Sequence, residues 1–161
     1  MSSANIEIVG FSDEWAKNFA ALNYEWIEKY FVVETHDREI LDDPRGLVIE
    51  PGGQIFMAVV DGKAAGTVAL IPSSEGVLEL TKMAVSPAFQ GRGIGDRLIE
   101  RCVEYAAEQA VHTVWLESHT KLSPAISLYR KHGFVEVPGD PNSLYVRADI
   151  RMELAIKSSN M

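Results

Sequence analysis

The stretch from Gln90 to Gly95, which reads Gln-Gly-Arg-Gly-Ile-Gly, constrains this chain more than any other segment. It joins an apolar extended run, Leu80 to Val85, to a long amphipathic helix that begins near Gly95. Glycines adopt positive φ at little cost and let successive N–H groups point at one place, while a helix start adds unpaired amides and the positive end of its dipole. The segment therefore predicts a binding site for phosphate or pyrophosphate.

Two common phosphate-binding motifs are excluded by spacing. A Walker A loop needs Gly-Lys-Ser/Thr, but Gly95 is followed by Asp96 and Arg97. A dinucleotide fingerprint that starts at Gly91 or Gly93 needs a glycine where Asp96 or Leu98 stands. What remains is Gln-x-x-Gly-x-Gly after an extended Val85-Ser86-Pro87. This pattern resembles the acetyl-CoA loop of the GNAT N-acetyltransferase superfamily.

A second motif supports that resemblance about forty residues downstream. The run Ser123 to Phe134 contains an alanine (Ala125), then Tyr129, then Gly133-Phe134, which is similar in order and spacing to the second signature of the superfamily. Its local chemistry predicts a short helix, because Ser123 can cap, proline suits the first helical position and Gly133 can end the helix in a left-handed conformation. The alternative for Tyr129 is a packing aromatic with its hydroxyl bonded to the backbone.

The resemblance implies an α/β (α+β) fold with one N-acetyltransferase domain over residues 1–161 and a frayed tail at about 157–161. The expected core is a mixed, mostly antiparallel sheet of about six or seven strands, flanked by about four helices. The resemblance also implies that the pantetheine arm bonds to the backbone around Met83 to Val85 and that the pyrophosphate rests on the glycine loop. The predicted donor-binding residues are Met83, Ala84, Val85, Gln90, Gly91, Arg92, Gly93, Ile94, Gly95, Asp96, Ser123 and Tyr129.

Periodicity and turn residues place the elements along the chain. Ser12-Asp13-Glu14 opens a first helix with an apolar stripe that includes Phe19 and Trp26, and a second short helix is predicted within residues 32–41. The predicted strands are 6–9, 54–60, 65–71, 77–85, 113–118, 134–137 and 144–156, with a long helix over about 95–109. Three antiparallel strands thus precede the loop, and strand 113–118 should run parallel to strand 77–85 through a right-handed crossover. These two strands are expected to diverge at their C-terminal ends.

Acetyl transfer to an amine needs a group that accepts a proton, because an amine with a pKa of ~10.4 is protonated at neutral pH. Glu79 lies eleven positions before Gln90, a spacing that matches the general-base glutamate of the histone-acetylating branch of the superfamily. Strand alternation puts Glu79 on one face with Thr81, Met83 and Val85 unless a bulge intervenes. Glu117 is the rival base on the strand across the wedge. For both glutamates the alternative is a strand residue that faces solvent.

The other catalytic tasks also have candidates. A backbone N–H near Val85 is the expected donor to the oxyanion. Tyr129 can supply a proton to the departing thiolate, whose pKa is ~8.5. The sequence departs from the common pattern in one place, because Leu122 stands where many relatives carry an asparagine that bonds to the cofactor arm. Ser123 is the residue that could replace that contact.

Composition narrows the class of partner. Fifteen basic and twenty-three acidic residues give a net charge of −8, which argues against nucleic acid or an anionic membrane as the main partner and is compatible with a cationic acceptor. No apolar run is long enough to span a membrane and the first ten residues lack the pattern of a signal peptide, so a cytoplasmic protein is expected. The single cysteine, Cys102, reads as a buried small hydrophobe, and the four histidines show no metal-binding spacing, so no metal is predicted.

The predicted function is transfer of an acetyl group from acetyl-CoA to a primary amine by direct attack in a ternary complex. Its expected partners are acetyl-CoA and an amine acceptor, and a homodimer is left open. Three questions are not answered by the sequence. The acceptor is a small amine, an amino acid, an antibiotic or a protein lysine; the acyl chain is acetyl or longer; and the chain is an enzyme or a CoA-binding sensor without turnover.

Overall fold

A computed structural model describes residues 5–157 and shows seven strands and four α-helices in that range. The strands are β1 (Ile6–Gly10), β2 (Gln54–Val60), β3 (Lys63–Ser74), β4 (Val77–Val85), β5 (Thr113–Ser118), β6 (Val135–Val137) and β7 (Ile150–Ala155). The helices are α1 (Ala16–Tyr30), α2 (Thr35–Asp42), α3 (Ile94–Glu108) and α4 (Ser123–Lys131). Most of the tail predicted at 157–161 lies outside the described residues.

The strands form one mixed sheet in the order β1-β2-β3-β4-β5-β7-β6. Every neighbouring pair is antiparallel except β4 and β5, which confirms the predicted parallel crossover through α3. The parallel pairing covers only Val77–Glu79 against Thr113–Trp115. Beyond Glu79 the two strands separate, so the predicted wedge is present at their C-terminal ends.

The sheet carries a separate apolar core on each face. One core packs α3 and α4 against the sheet and includes Leu80, Leu98 and Tyr129. The other packs α1 and α2 against the opposite face and includes Phe19, Ile27 and Ile40. Both faces are covered, which explains why β2 and β3 read as nearly continuous apolar runs without clear alternation.

A β-bulge in β4 changes which residues share a face. Thr67 pairs with Ala84 and Ala69 pairs with Thr81, so Lys82 and Met83 together oppose the single residue between them. Lys82 has a φ of 56°, as expected for an inserted residue. Leu80 and Met83 therefore both pack on the α3 side. The prediction that Glu79 shares a face with Met83 and Val85 was wrong, because the bulge turns those later residues to the other side.

Three details of the predicted elements also need correction. The last strand was predicted from residue 144, but β7 begins at Ile150, and residues 144–149 form a bend, a turn and irregular structure instead. Ser123 is the first residue of α4 rather than its cap, since the N-cap is Leu122 and no side chain caps that end. The buried stripe of α1 contains Asn23 between Phe19 and Ile27. Gly133 does adopt the predicted left-handed conformation, with a φ of 97°.

Candidate active site

The glycine loop between β4 and α3 presents unpaired amides to the surface. Gly91 and Gly93 have φ angles of 80° and 77°, and a Cβ on either would meet no atom within 4 Å. Gly93 is the N-cap of α3, and the first amide to bond back is that of Arg97, which donates to the Gly93 carbonyl at 3.1 Å. The amides of the first helical turn therefore precede the hydrogen-bond ladder of α3 and are available to an anion.

Gly95 serves a different purpose from the two glycines before it. A Cβ at Gly95 would lie 2.8 Å from the Leu128 Cδ2 atom of α4. The glycine thus lets α3 and α4 approach closely beside the loop. Asp96 fixes the same junction, because its Oδ1 accepts from Lys131 Nζ and His132 Nε2, both at 2.8 Å. The hydrogen bonds from Lys131 and His132 lower the pKa of the Asp96 carboxyl.

A groove, here called the donor cavity, runs along this loop between the C-terminal end of β4 and α4. It gathers most of the predicted donor-binding residues, together with neighbours from α1 and α4. Its lining residues are Trp26, Met83, Ala84, Val85, Phe89, Gln90, Gly91, Gly93, Ile94, Gly95, Asp96, Pro124, Ala125, Leu128 and Tyr129. Two predicted residues are not among them. Arg92 lies over the Phe89 ring at 5.2 Å, and Ser123 is exposed at the start of α4.

A second hollow, here called the acceptor cavity, lies on the α1 side of the wedge. Its lining residues are Asn23, Trp26, Ile27, Phe31, Glu79, Leu80, Thr81, Lys82, Met83, Leu116, Glu117, Ser118, His119, Leu122, Tyr129, Tyr145, Arg147 and Ala148. Three residues, Trp26, Met83 and Tyr129, line both cavities. The two hollows therefore meet at Tyr129.

Tyr129 is held firmly at that meeting point. Only 8% of the residue is exposed, and its ring packs edge-on to Phe134 with 6.0 Å between ring centres. Burial, with a smaller contribution from Cys102, raises the pKa of Tyr129 to about 12. The phenol is therefore neutral across the physiological range and can donate a hydrogen bond.

Glu79 is the candidate base whose environment is most altered. Burial raises the pKa of Glu79 to about 7; Lys82 and Arg151 oppose this rise, while the charge of Glu117 adds to it. A carboxyl with a pKa near 7 can accept a proton at neutral pH far better than an ordinary glutamate. Glu117 lines the same cavity but differs in its surroundings, because its Oε1 accepts a hydrogen bond from Ser143 Oγ at 2.9 Å.

Five polar residues beside the acceptor cavity form a network that the sequence analysis missed. This buried ion cluster consists of Glu34, Asp37, Lys82, Tyr145 and Arg147. Lys82 Nζ donates to Asp37 Oδ1 and Tyr145 Oη, each at 2.7 Å. Arg147 binds both Asp37 oxygens at 2.8 Å and Glu34 Oε2 at 3.2 Å. The cluster ties α2, the β4 bulge and the segment before β7 together.

The electrostatics of the cluster favour its ionised form. Burial by itself would raise the pKa of Asp37, but the Arg147 hydrogen bonds and the charge of Lys82 hold it well below its ordinary value. Burial lowers the pKa of Lys82, and Asp37 opposes that change. One sequence signal could have revealed the cluster. Lys82 is a charged residue at the end of an alternating strand pattern, in a place where an apolar residue or a bulge was due.

Four residues near the junction of α1 and α2 relate to the acceptor cavity in different ways. Phe31 lines it. Glu34 does not line it but accepts the amides of Val146 and Arg147. Tyr24 donates to Asp42 Oδ1 at 2.7 Å, and Tyr30 packs against Trp26. Of these contacts, those of Glu34 and Tyr30 are made to residues that line the cavity, Arg147 and Trp26.

The described part of the chain contains neither a metal-binding cluster nor a helix that could span a membrane. Within residues 5–157, no three His, Cys, Asp or Glu side chains come together in a way that could hold a metal ion. In the same part of the chain, every helix is too short or too polar to cross a bilayer.

Comparison with known proteins identifies relatives of this arrangement. The sequence model of the acetyltransferase (GNAT) family matches residues 19–134. This range includes β4, the glycine loop, α3 and α4, which supply residues to the cavities. An uncharacterised N-acetyltransferase of Escherichia coli K12, YjgM, is 29% identical over 100 residues, which are 60% of this chain and 60% of the relative. The chain spans between 38% and 60% of the length of the first three curated relatives that it matches.

Solved structures share the fold across nearly the whole chain. A GNAT-family acetyltransferase from Staphylococcus aureus Mu50 superimposes with a TM-score of 0.86 at 18% identity, covering 95% of this chain and all of the other. Spermidine N-acetyltransferase from Vibrio cholerae, solved with CoA and spermine, has a TM-score of 0.71 at 20% identity and covers 93% of this chain and 95% of its own. At these identities the likeness establishes the fold alone.

Proposed function

The chain belongs to the acetyltransferase (GNAT) family, and we propose that its residues 1–161 act as one N-acetyltransferase domain that moves an acetyl group from acetyl-CoA to a primary amine. One observation carries the proposal: a groove with a glycine-rich helix start and a second cavity with a carboxyl of raised pKa meet at one buried tyrosine. A donor in the groove and an amine in the cavity would come together at Tyr129. A cytoplasmic location and the two-substrate partnership belong to the same proposal.

The donor side supplies anion recognition through the main chain. The amides from Gly93 to Asp96 and the dipole of α3 would hold the pyrophosphate, while the unpaired edge of β4 from Met83 to Val85 would bond the pantetheine arm. The Vibrio cholerae relative binds CoA in the same fold, which supports this assignment. Arg92 and Ser123 are retained as candidates outside the groove lining. An N–H near Val85 would stabilise the oxyanion.

The acceptor side supplies the proton acceptor. In the proposed reaction Glu79 takes one proton from the bound ammonium, directly or through water, and the free amine attacks the thioester carbonyl. An N–C bond forms, the C–S bond breaks on collapse of the tetrahedral intermediate, and the second amine proton passes to the departing thiolate, directly or through a water molecule. The products are the amide, CoA as free thiol and one proton held by Glu79. Glu117 is the alternative base.

The raised pKa of Tyr129 refines its role. Full proton transfer from a phenol of pKa about 12 to a thiolate of pKa ~8.5 is uphill, whereas a hydrogen bond to the developing negative charge on sulfur is favourable. We therefore assign Tyr129 as the donor that stabilises the departing sulfur. The proton that completes the thiol is then drawn from the attacking amine.

A thiol-release assay tests the proposal. Purified chain, acetyl-CoA and a panel of primary amines should release CoA at a rate that depends on the acceptor, and mass spectrometry should show an acetyl gain of the amine. Longer acyl-CoA donors in the same assay separate acetyl transfer from other acyl transfer. Tight acetyl-CoA binding in calorimetry with no thiol released for any amine would instead support a CoA-binding sensor.

A further inference from the structure

The lysine, arginine and glutamate side chains that line the acceptor cavity fall into two groups. His119 lines it as well, and its Nε2 lies 3.4 Å from Asp149 Oδ2. The cations Lys82 and Arg147 both belong to the buried ion cluster and are neutralised there by Asp37 and Glu34. Arg147 spends both terminal nitrogens on these acids. Neither cation is therefore available to hold an anionic part of an acceptor.

The acids Glu79 and Glu117 form the other group. Within residues 5–157 no cation lies within ion-pair distance of either carboxylate. Arg151 pairs with Glu117 across the strands, yet its guanidinium stacks 3.9 Å from the centre of the Trp115 ring and lies 3.8 Å from Glu153. Neither glutamate thus has a direct ion-pair partner among the described residues, although the charges of Lys82 and Arg151 act on Glu79 at longer range.

A further cation lies near the cavity without lining it. Lys121 Nζ donates to the Tyr30 carbonyl at 2.7 Å and sits 4.1 Å from the centre of the Phe31 ring. The rings of Phe31 and Tyr145 are already in contact with protein cations. Lys121 Nζ lies 4.1 Å from the centre of the Phe31 ring, and Lys82 Nζ lies 4.4 Å from the centre of the Tyr145 ring. Trp26 also lines the cavity, and in the described part of the chain its aromatic contacts are with the rings of Tyr30 and Phe31. An alkyl chain between two charged ends could lie on it.

The two carboxylates are spaced along the wedge. Glu79 pairs with Trp115, and Glu117 follows two residues later on β5. Neighbouring strands lie about 4.8 Å apart, and two residues along a strand span about 6.6 Å. The Cα atoms of Glu79 and Glu117 are then roughly 8 Å apart along the diagonal. If Glu79 takes the proton of the reacting amine, Glu117 remains to hold a second positive charge.

We propose that the acceptor is a small dicationic amine, a primary amine with a second protonated nitrogen three to five carbons away, and that Glu117 is the residue that selects it. This inference rests on the proposed function and names its substrate class. Glu117 binds the distal ammonium, and the Ser143 hydroxyl keeps the Glu117 carboxylate turned toward the cavity. Acceptors with a distal carboxylate are disfavoured, because Lys82 and Arg147, the lysine and arginine that line the cavity within residues 5–157, are already paired with acids.

Three acceptors that share a four-carbon chain and a reacting primary amine test the inference. They are 1,4-diaminobutane, butylamine and 4-aminobutyrate, which differ only in a distal ammonium, methyl or carboxylate. We expect kcat/KM to be at least tenfold higher for the diamine than for butylamine, well beyond the factor of two that its two equivalent amines give. Rates for 4-aminobutyrate should be the lowest. Added salt should narrow the gap between the diamine and butylamine.

The variant Glu117→Gln tests the residue. The ratio of kcat/KM for the diamine to that for butylamine should fall at least tenfold, mainly through KM, while Glu136→Gln, a change at an exposed acid on β6, should leave the ratio as it was. Acetyl-CoA affinity and thermal midpoint confirm that each variant is folded.

The outcomes separate the two levels of proposal. Equal rates for the diamine and butylamine, or a preference for 4-aminobutyrate, would overturn the substrate class while leaving acetyl transfer intact. A parallel loss of both activities in Glu117→Gln, with an unchanged ratio, would make Glu117 the base and not the selector. Absence of thiol release with every acceptor would count against the proposed function itself.

Discussion

The donor cavity and the acceptor cavity share a wall at Tyr129 but are built in different ways. The donor cavity is made largely of main chain from one stretch, Met83 to Asp96, with α4 closing one side. The acceptor cavity is made of side chains from α1, β4, β5 and the segment before β7, and its supporting bonds join residues up to 113 positions apart. Binding of a cofactor is thus encoded locally here, whereas the chemistry of the acceptor depends on long-range pairs.

This difference predicts how each cavity responds to substitution. Main-chain recognition tolerates changes of side chain unless they alter φ or fill the groove. A buried network of charges fails when one member is lost, because the remaining partner is left unpaired in a low-dielectric site. Changes in the donor cavity should therefore alter affinity for acetyl-CoA alone, and changes in the acceptor cavity should alter turnover or stability.

Removal of the Tyr129 hydroxyl should have the largest effect on turnover. Tyr129→Phe keeps the ring and its packing on Phe134, so stability should change by no more than about 1 kcal/mol, the value of one hydrogen bond. If the hydroxyl stabilises the departing sulfur, kcat should fall by about 10² to 10⁴. Steady-state kinetics and calorimetry with acetyl-CoA check this, since the Kd should barely move. Normal turnover with an authentic acceptor would falsify the role and leave Tyr129 as a packing residue.

The buried ion cluster should give the largest effect on stability. Lys82→Met leaves Asp37 buried with one of its two cationic partners missing, and we expect a loss of about 3–5 kcal/mol in the free energy of unfolding. Urea denaturation of the variant measures it. Lys131→Met is the matched control, because that lysine forms an exposed pair with Asp96 and its loss should cost under about 1 kcal/mol.

A double variant sharpens this test. Lys82→Met combined with Asp37→Leu removes both buried charges, and it should recover part of the loss seen in Lys82→Met alone. If adding Asp37→Leu to Lys82→Met lowers the free energy of unfolding further instead of restoring part of it, the Lys82 and Asp37 charges are not coupled as the geometry indicates.

Neutralisation of Glu79 should remove the acidic limb of the activity profile. With the pKa of Glu79 at about 7, the base is lost as the pH falls through that value, so kcat/KM of the parent should decline below pH 7. In Glu79→Gln, kcat/KM at pH 8 should drop by about 10², and what remains should no longer follow that limb. Acetyl-CoA affinity should stay close to that of the parent. A limb that survives in Glu79→Gln and disappears in Glu117→Gln exchanges the two assignments.

Glu79→Gln, which should lower activity, should raise the stability of the protein at high pH. The folded pKa of Glu79 lies at about 7, above the value of 4.5 for a free glutamate, so the protonated form favours folding and that contribution is lost as the pH rises from 4.5 through 7. The full difference corresponds to roughly 3 kcal/mol at about 1.4 kcal/mol per pKa unit, and the open side of the cavity should reduce it. Glu79→Gln should thus gain stability relative to the parent above pH 7. An equal pH dependence of unfolding in both proteins would contradict the raised pKa.

The sequence allowed the donor cavity to be predicted because each of its determinants is local. Gly91 and Gly93 signal positive φ, and the Ser123 to Gly133 run signals a short helix, without knowledge of what packs against them. The antiparallel pairing of β2 with β3 followed from the Asp61-Gly62 turn, where both residues do have positive φ. These features also carried the family resemblance, and the fold that it implied is confirmed.

The acceptor cavity could be predicted only in part. Glu79 was found by its distance from the loop, but its predicted orientation relative to Met83 was wrong, because the strand was taken as regularly alternating through Lys82, where the bulge lies. Asp37 and Arg147 are 110 positions apart, and nothing local in either segment announces the other. The segment before β7 was predicted as a strand because Tyr145 and Val146 favour extended structure. Its Val146 amide instead donates to the carboxylate of Glu34, the N-cap residue of α2. Tertiary pairing overrode local propensity at this point.

The smallest effect is expected where the change is confined to the main chain of the donor loop. Gly93→Val places a β-branched residue at a φ of 77°, which costs about 1–2 kcal/mol although no atom lies within 4 Å of the new Cβ. The loop should relieve that strain by turning its amides away from the pyrophosphate. Calorimetry should then show acetyl-CoA affinity weaker by about tenfold, or 1.4 kcal/mol, with kcat at saturating acetyl-CoA nearly unchanged.

Gly139→Val is the matched control, because a Cβ there also meets open space but its backbone does not need the left-handed region. If both variants bind acetyl-CoA as the parent does, the glycine loop is not the pyrophosphate site. If Gly93→Val instead lowers kcat and spares affinity, the separation of donor and acceptor roles between the two cavities breaks down.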